Sequence, residues 1–258
     1  MSQVSGGDFL VNLGASLVLA LLSFVAGWAV TNALSRQKLG YIRRIMPDRG
    51  GTIRIISPRI DVPEYESQTT ARPTRLPVNN PLMPLQEGAA IARLSLAFRQ
   101  VDSRVNVDVH LNAAPVNYDV LTVTVGGPAV NAATRSLVRS CFPSFAFPPE
   151  GVVIEFDGQV YDLSDVGAGE ITEDYGFIAI ARTGAESRTI ALFGCFSHGT
   201  EMAAKTLLAL HGNTAAIRAV RDADRAVIVV HGKVDGLRNF DVRIIAVANP
   251  PRDPALIE

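Results

Sequence analysis

Hydrophobic positions along the chain follow three patterns. Residues 9–35 (FLVNLGASLVLALLSFVAGWAVTNALS) form a 27-residue run without an ionisable side chain. That exceeds the roughly 20 residues that span a bilayer's hydrocarbon core, so the run predicts a transmembrane helix. From residue 52 onward, short apolar or alternating stretches predict strands at 52–57, 105–109, 119–125, 152–156, 159–163, 177–182, 189–193, 226–231 and 240–247. Between them, apolar residues at helical spacing predict helices at 86–101, 128–141, 199–211 and 214–221. Asp157-Gly158, between two alternating runs, is a hairpin signal, and Asp235-Gly236 marks another turn. Pro128 falls in the first turn of its helix, where a missing N–H costs nothing.

This order of strands and helices predicts an α/β, Rossmann-like domain with a mostly parallel sheet and antiparallel hairpin edges, joined to one N-terminal transmembrane helix. The expected organisation is a tail and membrane helix over 1–35, a basic juxtamembrane segment over 36–51 and one α/β domain over 52–258. Inside that domain, residues 57–87 carry Pro58, Pro63, Pro73, Pro77, Pro81 and Pro84. Proline fixes φ and removes a donor, so the segment reads as a tether or as a long loop of the domain. In the basic segment, Leu39, Ile42, Ile45 and Met46 predict an interfacial helix with its apolar side at the acyl boundary.

Charge orients the predicted span. Only Asp8 precedes it, whereas Arg36, Lys38, Arg43, Arg44, Arg49 and Arg54 follow against Asp48 alone. The excess of basic residues after the run predicts a single-pass protein of the inner (cytoplasmic) membrane, N-out and C-in. Ser16, Ala20, Ser23 and Gly27 fall on one stripe of the helix, which predicts homo-oligomers through the membrane helix as well as the cytosolic domain. Cys141 and Cys195 are the two cysteines of the chain, a usage that suits a reducing compartment. A formal net charge of −1 leaves no basic footprint for a nucleic-acid polymer.

Candidate chemistry concentrates in two loops. In the first, the predicted strand 119–125 runs into Gly126 and Gly127, and a helix starts directly with Asn131 in its first turn. Glycines let a ligand approach the backbone, and a helix N-terminus offers unpaired N–H groups and partial positive charge. The second loop repeats the arrangement: an apolar strand, Gly194, then Ser197, His198, Gly199 and Thr200 at a helix start. In a parallel sheet both loops lie at carboxyl ends of strands, where ligands of open α/β sheets bind. The expected binding residues for a small anionic ligand are therefore Gly126, Gly127, Asn131, Ser197, His198, Gly199 and Thr200. Neither loop is a GxGxxG or Walker motif. Cys195 and His198 lack an evident orienting acid, and His110, His198, His211 and His231 lack metal-ligand spacing. No catalytic residue, metal or cofactor is assigned. Glu170, Glu173 and Asp174, ahead of Tyr175, read as a solvated loop, as a grip on ribose hydroxyls or as a general acid or base.

Three short motifs carry a family likeness: ISPR at 56–59, GGPAVN at 126–131 and the helix start at Gly199-Thr200. With the single anchor and the Rossmann-like pattern, the chain resembles the membrane-tethered nucleotide sensors of bacterial defence, including CARF-type effectors. GGPAVN is also similar to a string in archaeal surface-layer domains, against which the predicted orientation argues. The resemblance to the sensors implies a nucleotide ligand whose binding drives association of the anchors.

The leading expectation is thus a membrane-anchored sensor or effector that binds a small anionic ligand, a nucleotide, and couples it to helix association. A membrane-tethered hydrolase or transferase acting on nucleotides is the alternative, and a non-catalytic membrane scaffold is the third.

Overall fold

The computed structural model describes residues 39–47, 50–58, 83–111, 120–148, 153–163, 171–184 and 187–250, together with Ser23. Its elements in chain order are α1 (Gly40–Arg43), β1 (Thr52–Ser57), α2 (Leu85–Val101), β2 (Asn106–Leu111), β3 (Leu121–Val125), α3 (Ala132–Cys141), β4 (Phe145–Ala146), β5 (Val153–Phe156), β6 (Gln159–Asp162), β7 (Glu173–Arg182), β8 (Arg188–Gly194), α4 (Ser197–Leu208), α5 (Thr214–Asp222), β9 (Arg225–Asp235) and β10 (Arg238–Ala248).

Seven strands form one sheet in the order β10-β9-β7-β8-β3-β1-β2, and β4-β5-β6 form a second. In the large sheet β1·β2, β1·β3 and β3·β8 are parallel, whereas β7·β8, β7·β9 and β9·β10 are antiparallel. The small sheet adds two antiparallel pairs. Antiparallel pairing therefore prevails, which corrects the mostly parallel sheet expected from the sequence. The physical reason lies in the connections. A parallel return needs a crossover of a dozen or more residues. Only residues 183–187 separate β7 from β8, and a two-residue turn separates β9 from β10. The parallel character survives where helices do intervene, at β1, β2, β3 and β8.

Alternation along the strands feeds two cores. Ile53, Ile55, Val123, Val125, Ile178, Ile180, Leu192 and Ile228 point to the face covered by α1, α2, α4 and α5. Phe177, Ala179, Ala191, Phe193, Val227 and Val229 point to the other face, under α3 and the small sheet. The small residues on that second face make room for an aromatic group in which Phe145 stacks on Phe156 with centroids 4.5 Å apart and meets Phe177 edge-on.

The predicted membrane helix at 9–35 lies, Ser23 aside, outside the described residues, as does most of the stripe formed by Ser16, Ala20, Ser23 and Gly27. Among the described residues no helix is long and apolar enough to cross a membrane. On that finding the single-pass, N-out and C-in placement in the inner membrane is corrected, and function is argued below without it. The interfacial helix is corrected too. Leu39, Ile42, Ile45 and Met46 are buried in the first core rather than turned to lipid. Tyr41 anchors them: its hydroxyl donates to the Leu207 carbonyl at 2.6 Å and accepts from the Leu210 N–H at 3.2 Å. Residues 59–82 of the proline-rich segment lie outside the described residues.

Candidate functional site

Because β1, β3 and β8 are parallel, their carboxyl ends share one edge of the sheet. The chain leaves β1 and β8 toward helices on one face, and leaves β3 toward α3 on the other. Connections that diverge to opposite faces open a crevice between them, the place where open α/β sheets bind ligands.

The first loop is built around Gly126 and Asn131. Gly126 has φ +98, a conformation that L side chains rarely adopt. Its N–H continues the ladder to the Leu192 carbonyl at 2.9 Å. A Cβ here would stand 3.2 Å from Pro58 and from Glu87 Oε1. Asn131 is fully buried and caps α3, its Oδ1 accepting from the N–H groups of Ala133 and Thr134 at 3.0 and 3.3 Å. Its Nδ2 donates to the Ile56 and Val125 carbonyls at 3.1 and 2.8 Å, tying the ends of β1 and β3 together. All its polar capacity is spent inside the protein, so Asn131 shapes the loop and is not placed to contact a ligand. Thr134 Oγ1 supports the same turn, donating to the Gly126 carbonyl at 2.9 Å. From outside, Arg135 holds the turn with Nε on the Pro128 carbonyl at 2.7 Å and Nη2 on that of Ala129 at 3.1 Å.

The second loop is organised by Asp174, which the sequence pattern assigned to a solvated stretch. Asp174 is a fully buried residue of β7. Its Oδ1 accepts from the N–H groups of Tyr175 and Phe196 at 2.7 and 3.1 Å, and its Oδ2 from that of Gly199. The α4 helix has no side-chain cap of its own, so this carboxylate from the neighbouring strand serves as one. Burial pushes the Asp174 carboxyl up to about 7, against the pull of those three N–H donors. The N–H groups of Phe196 and Gly199 at the start of α4 are thus already taken by this carboxyl. Gly199 is there for packing: a Cβ would come 2.0 Å from the Tyr175 carbonyl oxygen. His198 is held by Asn239 Oδ1 at 2.9 Å and Gln86 Nε2 at 3.2 Å.

Between the loops lies a cavity of about 630 Å3. Of the seven residues expected from sequence, the structure brings Gly127, Ser197 and Thr200 to its wall, while Gly126, Asn131, His198 and Gly199 shape or support the loops behind it. Gly127 is open to added bulk, the nearest atom to a Cβ there being the Gly194 carbonyl oxygen at 3.9 Å. The Ser197 hydroxyl donates to Gln86 Oε1 at 3.2 Å, tying α4 to the first turn of α2.

Sequence reasoning missed three wall residues that change the site's character. Arg135 and Arg139, one helical turn apart on α3, bring two guanidinium groups to it. Their spacing of four along the predicted helix after the Gly-Gly turn was the available signal. Glu87, in the first turn of α2, is only 3% exposed, and its Oε2 is buried with no hydrogen-bond partner among the described residues. Burial pushes the Glu87 carboxyl up to about 7. Cys195 also lines the cavity, but burial raises its thiol far above the range of a reactive thiolate. A nucleophilic Cys195–His198 pair is therefore disfavoured on chemistry as well as on spacing.

No protein-family model matches the chain, and no curated protein or solved structure gives a significant match.

Proposed function

We propose that this chain is a ligand-binding sensor domain whose cleft, at the carboxyl ends of β1, β3 and β8, takes a small anionic ligand, a nucleotide. The observation that carries the reading is the convergence of Arg135, Arg139 and Gly127 with the β8–α4 loop on one cavity of about 630 Å3. That volume lies in the range of small-molecule sites, and fixed guanidinium groups bind phosphate by charge and by geometry. The anion-holding role falls to α3, because the N-terminus of α4 is capped by Asp174. Apolar wall residues, Phe147, Pro128 and Ile154 among them, offer a surface for a flat base. The pairing of a cationic wall with a flat apolar one supplies the choice of a nucleotide over a bare anion.

A ligand in this cleft touches α3 on one face of the sheet and α4 on the other, so occupancy ties together elements from opposite faces. That is the mechanical basis for a sensor reading. Glu87, a buried carboxyl poised near neutrality in the same cavity, supports a second reading as a nucleotide-processing hydrolase or transferase.

The test is a calorimetric and mass-spectrometric screen of the purified chain against ribonucleoside mono-, di- and triphosphates. Gly127→Val adds bulk at the wall, where a Cβ has nothing nearer than the Gly194 carbonyl oxygen at 3.9 Å, and Arg139→Ala removes one of the two guanidinium groups. Both variants are expected to keep the wild-type far-UV spectrum and to lose ligand affinity by tenfold or more. Unaltered affinity in both would overturn the location of the site. Release of hydrolysed product during the screen would move the assignment from sensor to enzyme.

A further inference from the structure

The proposed cleft leaves one group unexplained. Glu87 lies in the first turn of α2 and lines the same cavity as the arginines of α3. An acid in a first helical turn is ordinarily placed to favour the helix dipole, and there it stays solvated. Glu87 is 3% exposed, and its Oε2 has no partner among the described residues. A buried carboxyl left without a hydrogen bond costs stability whether it is ionised or protonated. Each such group in a native protein calls for an explanation, and a partner from outside the fold is one.

We propose that Glu87 is the specificity-determining residue of the cleft, accepting a hydrogen bond from a hydroxyl or amino group of the ligand while Arg135 and Arg139 hold its anionic part. This rests on the anionic-ligand reading of the cleft and narrows it. The cleft has a cationic wall on α3 and an acceptor on α2, with Pro84, Pro128 and Phe147 among the apolar residues between them. A ligand that satisfies both walls carries a negative charge at one end and a neutral donor at the other. Ribonucleotides with a free ribose diol or a base amino group fit that description. Inorganic phosphate and pyrophosphate satisfy the arginines alone and leave Glu87 unpaired. Gly126 belongs to the same design, since a Cβ there would press on Glu87 Oε1 at 3.2 Å and displace the carboxyl.

The experiment uses the full chain and two variants, Glu87→Leu and Arg139→Ala, titrated calorimetrically with the four ribonucleoside monophosphates and, separately, with inorganic phosphate. Glu87→Leu is expected to weaken binding of the best ribonucleotide at least tenfold, to leave phosphate binding within twofold, and to raise the denaturation midpoint above that of the wild type. Arg139→Ala is expected to weaken both ligands. A stabilised Glu87→Leu with full nucleotide affinity would overturn the role of Glu87 and leave the cleft reading intact. A destabilised Glu87→Leu would assign the residue a structural role and overturn it as well. Should none of the probes bind the wild type, the anionic-ligand reading falls, and this inference with it.

Discussion

At the scale of single residues, the same polar side chain serves a ligand or the fold depending on where its partners lie. Asp174 makes the point most sharply. Its two oxygens receive three backbone N–H groups from β7 and from the start of α4. Asp174→Asn replaces one acceptor by an NH2 donor aimed at an N–H, so at least one buried amide loses its partner. The expected loss is about 2–3 kcal/mol in chemical denaturation, and a variant as stable as the wild type would contradict this capping role. Gly199→Ala acts on the same junction by steric means. With its Cβ 2.0 Å from the Tyr175 carbonyl oxygen, backbone has to move, and a loss above about 3 kcal/mol or failure to fold is expected from expression and melting. The two loops of the site were legible in the sequence from Gly126-Gly127 and Gly194 at strand ends and Gly199-Thr200 at a helix start. Their division of labour was not, because a helix-start Asn that caps and one that grips a ligand occupy the same position in the pattern. Asn131 proves to be the first kind. Glu87 was invisible because a first-turn acid is ordinary, and only burial distinguishes it.

At the scale of elements, periodicity located the strands and helices well and their directions poorly. The run at 119–125, whose last five residues are all buried, became β3, and the alternation around Asp157-Gly158 became β5 and β6. Direction depends on what lies between strands, and the acidic stretch before residue 177 concealed the first four residues of β7. Residues 173–176 pair with β9 although their sequence is polar, because the β7 carboxylates have partners: Asp174 in the α4 cap, and Glu173 on His231 Nε2 at 3.0 Å. The resulting sheet has a rigid middle. Strands β7 and β8 have neighbours on both sides and cover on both faces, whereas β2 and β10 are edges. Amides of residues 177–181 and 190–193 are therefore expected to exchange only through global unfolding. Those on the open side of β2, where Val109 and Leu111 are exposed, should exchange orders of magnitude faster. Comparable protection in β2 and β8, read by hydrogen exchange with mass spectrometry, would require a partner strand on that edge.

At the scale of the whole molecule, the site and the stability of the fold are linked through protons. Burial holds the Glu87 and Asp174 carboxyls at about 7, above the values of 4.5 and 3.8 that they have when exposed. Between those limits the unfolded chain has released protons that the folded chain keeps, so stability falls as pH rises. The penalty is absent below about pH 4 and complete above about pH 7, with a slope of at most about 1.4 kcal/mol per pH unit for each group. The denaturation midpoint of the wild type is thus expected to decline from pH 5 to pH 7.5. Glu87→Leu removes one of the two contributions. Its advantage over the wild type should be small at pH 5, grow through pH 6 and 7, and level off near pH 8, with the remaining slope belonging to Asp174. A nucleotide that donates a hydrogen bond to ionised Glu87 offsets the same penalty, so saturating ligand should flatten the wild-type profile toward that of the variant. If the gain from Glu87→Leu is the same at pH 5 and pH 8, the carboxyl does not titrate in this window, and its cost is that of an unpaired polar group alone.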